Sequence, residues 1–258
     1  MSFFKKAMAS MGMGSAKVDA VLDSERVQAG ASVTGKVVIR GGKVEQKVDE
    51  IYMDIRTEYK EIEYRDGKKK VYTNTATIQN IVLPFEKVIL PKDEYEVPFK
   101  FQLSPNTPVS TENNEIWIDT SLDIKKAIDP TDLDYIKVSA HPYIQPILDG
   151  FIDLGFTDSG IQNEKNTYVK DVDFIQAFNI IPTKAFNGEI DELKVAFFIK
   201  DRKIRVFMEI DKRSGLFREL INADKTRTWL ELTEEELIEG TDYIQEKIYN
   251  AIKNCIIK

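Results

Sequence analysis

Few residues of this 258-residue chain have the type and spacing that chemistry needs. The single histidine, His141, stands before Pro142 with no histidine or cysteine near it to complete a metal set. The single cysteine, Cys255, falls on the apolar side of a terminal helix pattern, where a thiol is a packing group before it is a nucleophile. Asp129, Asp132 and Asp134 match a calcium loop in acidity alone, because the central glycine and the closing glutamate of such a loop are missing. Met11-Gly12-Met13-Gly14 lacks the later glycine and lysine of a phosphate cradle. Asp119 and Asp123 are of the right type for acid–base work, but they lie on a strand face that reads as solvated. The expectation is a protein with no catalytic, cofactor-binding or metal-binding residues.

The elements that would position such residues are mostly strands. Val33, Gly35, Val37 and Ile39 share one face, with Thr34, Lys36, Val38 and Arg40 on the other, before the turn at Gly41-Gly42. Ile51, Met53, Ile55, Thr57 and Tyr59 alternate with Tyr52, Asp54, Arg56, Glu58 and Lys60 in a longer strand. Asp66-Gly67 predicts a hairpin whose lysine-capped tip returns as a threonine-rich strand over 71–82. Further strands are expected over 95–103, where Pro98 marks an edge or a bulge, and over 116–122. The acidic run from Asp129 to Asp134 is read as lying before a short strand. These spacings suit a β-sandwich.

The chain changes character near Pro142, where the boundary between two domains, 1–141 and 142–258, is expected. Ile144, Ile147, Leu148, Phe151 and Ile152 then recur at helical spacing, with Pro146 tolerated in the first turn. Strands follow over 174–181, 193–199 and 204–210, the last two as a tight hairpin around Asp201. At the end, Thr233-Glu234-Glu235-Glu236 is a capping box. It predicts an amphipathic helix over about 233–256 with Leu237, Ile244, Ile248 and Cys255 on its stripe, widened by Ile238, Tyr249 and Ile252. That stripe could dock on the chain's own body or on a second copy in a homodimer.

A formal charge of −7 disfavours nucleic acid as a partner. One cysteine requires no oxidising compartment, and no apolar run reaches the ~18 residues of a spanning helix, so a cytoplasmic location is expected. Phe3, Phe4, Met8 and Met11 form a short apolar face beside Lys5 and Lys6 that is a poor signal peptide. As a short N-terminal helix this face would dock on protein or rest on a membrane surface. The terminal Cys255-Ile256-Ile257-Lys258 has the outline of a prenylation box, but its last residue is atypical and the match is taken as chance.

Several short motifs, in order, carry a resemblance: Ser2-Phe3-Phe4-Lys5-Lys6, the strand from Val33 to Ile39, Gly41-Gly42 with Glu45-Gln46, and Pro98-Phe99-Lys100-Phe101. Phe174-Ile175-Gln176-Ala177-Phe178 with Pro182 and the run from Val206 to Arg213 continue it. Together they resemble the sporulation-control protein M (SpoOM) family of bacilli over nearly the whole chain. The stretch after Arg213 departs from that pattern, holding only Gly215 where more glycine is expected. The resemblance implies a mainly β fold of two arrestin-like β-sandwiches, and a non-enzymatic adaptor or regulator of early sporulation that works through contacts with other proteins. It carries over no catalytic residues. It also suggests that Asp129, Asp132 and Asp134 form a polar cluster between the sandwiches, with an acidic solvated linker as the plainer account. A peripheral membrane scaffold anchored by the N-terminal segment is the alternative function.

Overall fold

The computed structural model describes residues 15–65, 67–124, 129–170, 172–212 and 225–257. The N-terminal helix read from the sequence, with Phe3 and Phe4, lies outside these residues. The fold is mostly β, as expected, and the chain divides into two compact units: Met1–Glu58 with Thr73–Ser139, and Tyr59–Tyr72 with Ala140–Lys258.

The first unit carries β1 (Lys17–Leu22), β2 (Arg26–Gln28), β3 (Ser32–Arg40), most of β4 (Gln46–Arg65) and β5 (Lys68–Ile89), then β6 (Glu94–Gln102), β7 (Ile116–Ile124) and β8 (Thr131–Ser139). Strands β1, β3 and β6 make one sheet, and β4, β7, β8 and β2 run in order through the other, with β5 also paired to β4. The alternation in β4 places Ile51, Met53 and Ile55 wholly inside, where they meet Val37 and Ile39 of β3 and Ile116 and Ile118 of β7 in one core. Burial of each such side chain contributes about 1.5–3 kcal/mol. Gly35 lets the sheet close, because a Cβ there would overlap the carbonyl oxygen of Val21 and the ring of Phe99. Pro98 occupies the edge strand β6 opposite Lys36, where its missing N–H costs no ladder bond.

One local expectation is corrected here. The acidic run does not precede a short strand; β8 begins at Thr131, so Asp132 and Asp134 are strand residues. In register with Thr120 and Ile118, they share the inward face with the buried Ile136 and Val138.

In the second unit β9 (Phe156–Lys165), β10 (Phe174–Pro182), β11 (Ile190–Lys200), β12 (Lys203–Lys212) and β13 (Lys225–Thr233) form an antiparallel meander. The unit takes in Tyr59–Tyr72, the far end of the β4–β5 hairpin, a feature absent from a division drawn at one point in the sequence. The reason is local: Tyr59 stacks on Phe174 at 5.7 Å, Lys60 bridges to Glu164, and Lys165 pairs with Glu61 at 3.7 Å. Asp201 and Arg202, both with positive φ, turn the β11–β12 hairpin in two residues.

Among the described residues, three helices complete this unit: α1 (Ile144–Asp153), α2 (Glu234–Ile238) and α3 (Thr241–Ile256). The capping box at Thr233 and Glu236 is formed on both sides. The single helix expected over 233–256 is not. Gly240 adopts a φ of 108°, outside the helical region, and splits the segment into α2 and α3. That break turns Ile238 to solvent at 79% exposure, so it does not widen the stripe.

Candidate interaction surfaces

The C-terminal residues singled out by sequence face their own unit. Leu237 is buried, and Ile244, Ile248 and Ile252 are fully enclosed. Ile244 and Ile248 press on α1 at Gly150, where an added Cβ would sit 3.1 Å from a methyl of each. Tyr249 lies against Phe186 with ring centroids 5.0 Å apart, and Glu236 accepts hydrogen bonds from Tyr243 and Lys247. The stripe is therefore taken up within the chain. A cavity of about 200 Å³ beside Phe186, Tyr249 and Ile257 is smaller than the pockets that hold drug-sized ligands.

Among the predicted acidic residues, the structure brings two together and leaves the third apart. Asp129 Oδ1 accepts the Ile124 N–H at 2.9 Å, at the end of β7. Asp132 Oδ2 accepts the N–H of Ala20, a residue of β1, at 3.0 Å. Beside it Asp134 is pushed up to about 7, by burial first, then by the charge of Asp132, a hydrogen bond to Asp132, and the charges of Asp19 and Glu25. All of these residues belong to the first unit. Among the described residues no group of three or more histidine, cysteine, aspartate or glutamate side chains is arranged to hold a metal ion.

The other chemistry-bearing residues have structural partners. His141 Nδ1 accepts the Tyr143 N–H at 3.2 Å, its carbonyl accepts the Ile144 N–H at the start of α1, and burial lowers its pKa. Cys255 is half-buried, its Sγ 3.8 Å from the Arg227 carbonyl. Asp119 is paired with Arg56 at 3.0 Å, and the same guanidinium holds Asp54 at 2.6 Å.

Sequence reasoning missed the outward face of the β7–β8 pair. Leu133 and Tyr135 are each 54% exposed there, and Tyr135 sits across from Trp117 with ring centroids 6.2 Å apart. Arg56, Asp54 and Asp119 flank these rings on β4 and β7, giving an apolar centre with a charged rim. The signal was available: once a strand starts at Thr131, inward Ile136 and Val138 force Leu133 and Tyr135 outward.

The family model described as SpoOM protein matches residues 4–214. The sporulation-control protein spo0M of Bacillus subtilis (strain 168) is 32% identical over 252 residues, covering 95% of this chain and 96% of that relative. The crystal structure of Spo0M, sporulation control protein, from Bacillus subtilis aligns with a TM-score of 0.78 at 28% identity, covering 92% of this chain and 98% of that one.

Proposed function

The chain belongs to the SpoOM protein family, and from that membership we propose that it regulates sporulation by binding other proteins in the cytoplasm, without catalysing a reaction. The role in sporulation control is supported by the name of the Bacillus subtilis relative over almost the full length of both chains. The arrestin-like architecture is carried in the proposal by the same family and by the two compact β units.

The observation that carries the binding role is the exposed face formed by Trp117, Leu133 and Tyr135. Buried Ile116, Ile118 and Ile136 already provide the packing for these strands from the other side, so folding leaves the outward apolar groups unused. Aromatic centres with a polar rim are the usual composition of protein interfaces. In the chain's own host, removing the protein should change the frequency of heat-resistant spores. Wild type should restore it, and a Leu133→Ser/Tyr135→Ser variant that melts like wild type should not. An unchanged spore frequency on removal would sink the sporulation role; full restoration by the variant would sink this face as the binding surface.

A further inference from the structure

The inward carboxylates of β8 do something unusual for a strand edge. Strand β2 pairs with β8 only over Lys137–Ser139, and the first half of β8 has no ladder partner on that side among the described strands. Strand β1, an edge of the facing sheet, comes up to it instead, and the Ala20 N–H is held by the Asp132 side chain. A carboxylate thus stands in for a strand partner at the corner of the first unit.

The corner is short of one hydrogen. Thr120, directly opposite Asp132 and fully buried, has an Oγ1 with no hydrogen-bond partner among the described residues, and Asp134 Oδ2 is likewise shielded and unpartnered. Two adjacent carboxylates cannot hydrogen-bond to each other unless one of them carries a proton. The groups facing the pair are Asp19 on β1 and Glu25 in the turn after it, while β7 presents only Ile118 and Thr120. Lys137 stands three residues along β8 from Asp134 and therefore lies on the outward face, and Arg26 is its register partner on β2.

We propose that Asp132 and Asp134 form a proton-operated latch between β1 and β8, closed while the pair shares one proton and loosened when that proton leaves. Without the proton, a second negative charge faces Asp132, Asp19 and Glu25 with no cation among them, and two of those groups ride on β1 or just beyond it. The repulsion acts on the segment that the Ala20 hydrogen bond secures. Because the pKa of Asp134 is raised, the stabilisation is fully present at low pH and is lost as pH rises through about 7.

The test is amide hydrogen exchange on the full chain, with rates corrected for the intrinsic effect of pH. Protection of the Ala20 amide should fall about tenfold between pH 6 and pH 8, the order of change that one linked proton gives. The Ile55 amide, deep in β4, should hold its protection over the same range. Asp134→Asn should keep Ala20 protected throughout, and Asp19→Asn, which removes one repelling charge, should move the fall to lower pH. A flat Ala20 profile in wild type, or a fall that persists in Asp134→Asn, would overturn the latch. If Asp134→Asn does not fold, an unshifted profile in Asp19→Asn would overturn it as well.

Discussion

Glu209 in the second unit and Asp134 in the first are both carboxylates partly or wholly shielded on sheet strands, and they end with opposite charge preferences. Glu209, only 4% exposed, lies between Arg227 at 2.9 Å and Lys225 at 3.3 Å. Burial pushes its pKa up, but the Arg227 hydrogen bond and the charges of Lys225 and Lys194 outweigh that and hold it below the usual carboxylate range. Asp134 is less enclosed yet is pushed up to about 7, by burial first and then by the acidic groups around it, with no cation beside it to offset the burial as Arg227 and Lys225 do for Glu209. Depth alone therefore does not decide the state of a carboxylate; the sign of the charges within hydrogen-bond reach does. The contrast extends to whole surfaces. The second unit pairs its deepest charge and covers its helix stripe, whereas the first unit leaves an acid pair without a cation and an aromatic face open.

The largest expected effect comes from breaking the closed unit. Replacing Ile244 and Ile248 together with Asp removes two fully enclosed side chains that contribute about 1.5–3 kcal/mol each and sets two charges against α1. The loss should exceed about 4 kcal/mol, read as a lower urea midpoint and, by light scattering, as aggregation of the exposed stripe. A melt within a degree of wild type would mean that the helix does not hold the second unit closed.

Next in size is the removal of the cations from Glu209. Arg227→Leu with Lys225→Leu should cost about 2 kcal/mol at pH 7, less than a fully buried pair would because both cations reach solvent. The pH dependence tests the mechanism. With a lowered pKa, the paired Glu209 contributes stability above its unfolded value and loses it as pH falls through the folded one. The gap between wild type and variant should therefore narrow in acid. A constant gap would assign the loss to packing instead.

Asp134→Asn sharpens the comparison from the other side, with the opposite sign. At pH 8 the variant should be more stable than wild type by about 1 kcal/mol, discounted because the group is only half-buried. Near pH 3, where wild-type Asp134 is protonated in both states, the gain should vanish. If the substitution destabilises at pH 8, Asp134 is stabilised as a carboxylate and the contrast with Glu209 fails.

How much of this was readable beforehand depends on the range of the interactions involved. The alternation in β4, the capping box at Thr233 and the Asp201 hairpin are local patterns, and the structure keeps all three. The break at Gly240 was hidden because the three- and four-residue steps of the stripe continue across it. One glycine with φ of 108° outweighs a periodicity that is otherwise intact. The acid corner was harder still. Asp132 and Ala20 are 112 positions apart, and a run of aspartates reads as loop until the facing strand is known. Of the candidate contacts, Ile244 and Ile248 were recognisable as a stripe, but the glycine of α1 that receives them carries no signal of its own.

The smallest effect on stability is expected where the functional effect should be largest. In Leu133→Ser/Tyr135→Ser the lost side chains are each 54% exposed and leave the core residues Ile118 and Ile136 untouched. Only strand propensity and the Tyr135–Trp117 contact change, so stability should move by no more than about 0.5–1 kcal/mol in thermal melts. A fall of several kcal/mol would show that this face is covered in the folded protein, and the first unit would then be as closed as the second. A small change with loss of sporulation control would leave the opposite result, in which the first unit keeps apolar surface that its own fold does not need. The stability readout and the spore count together separate a surface that holds the protein together from one that is used on something else.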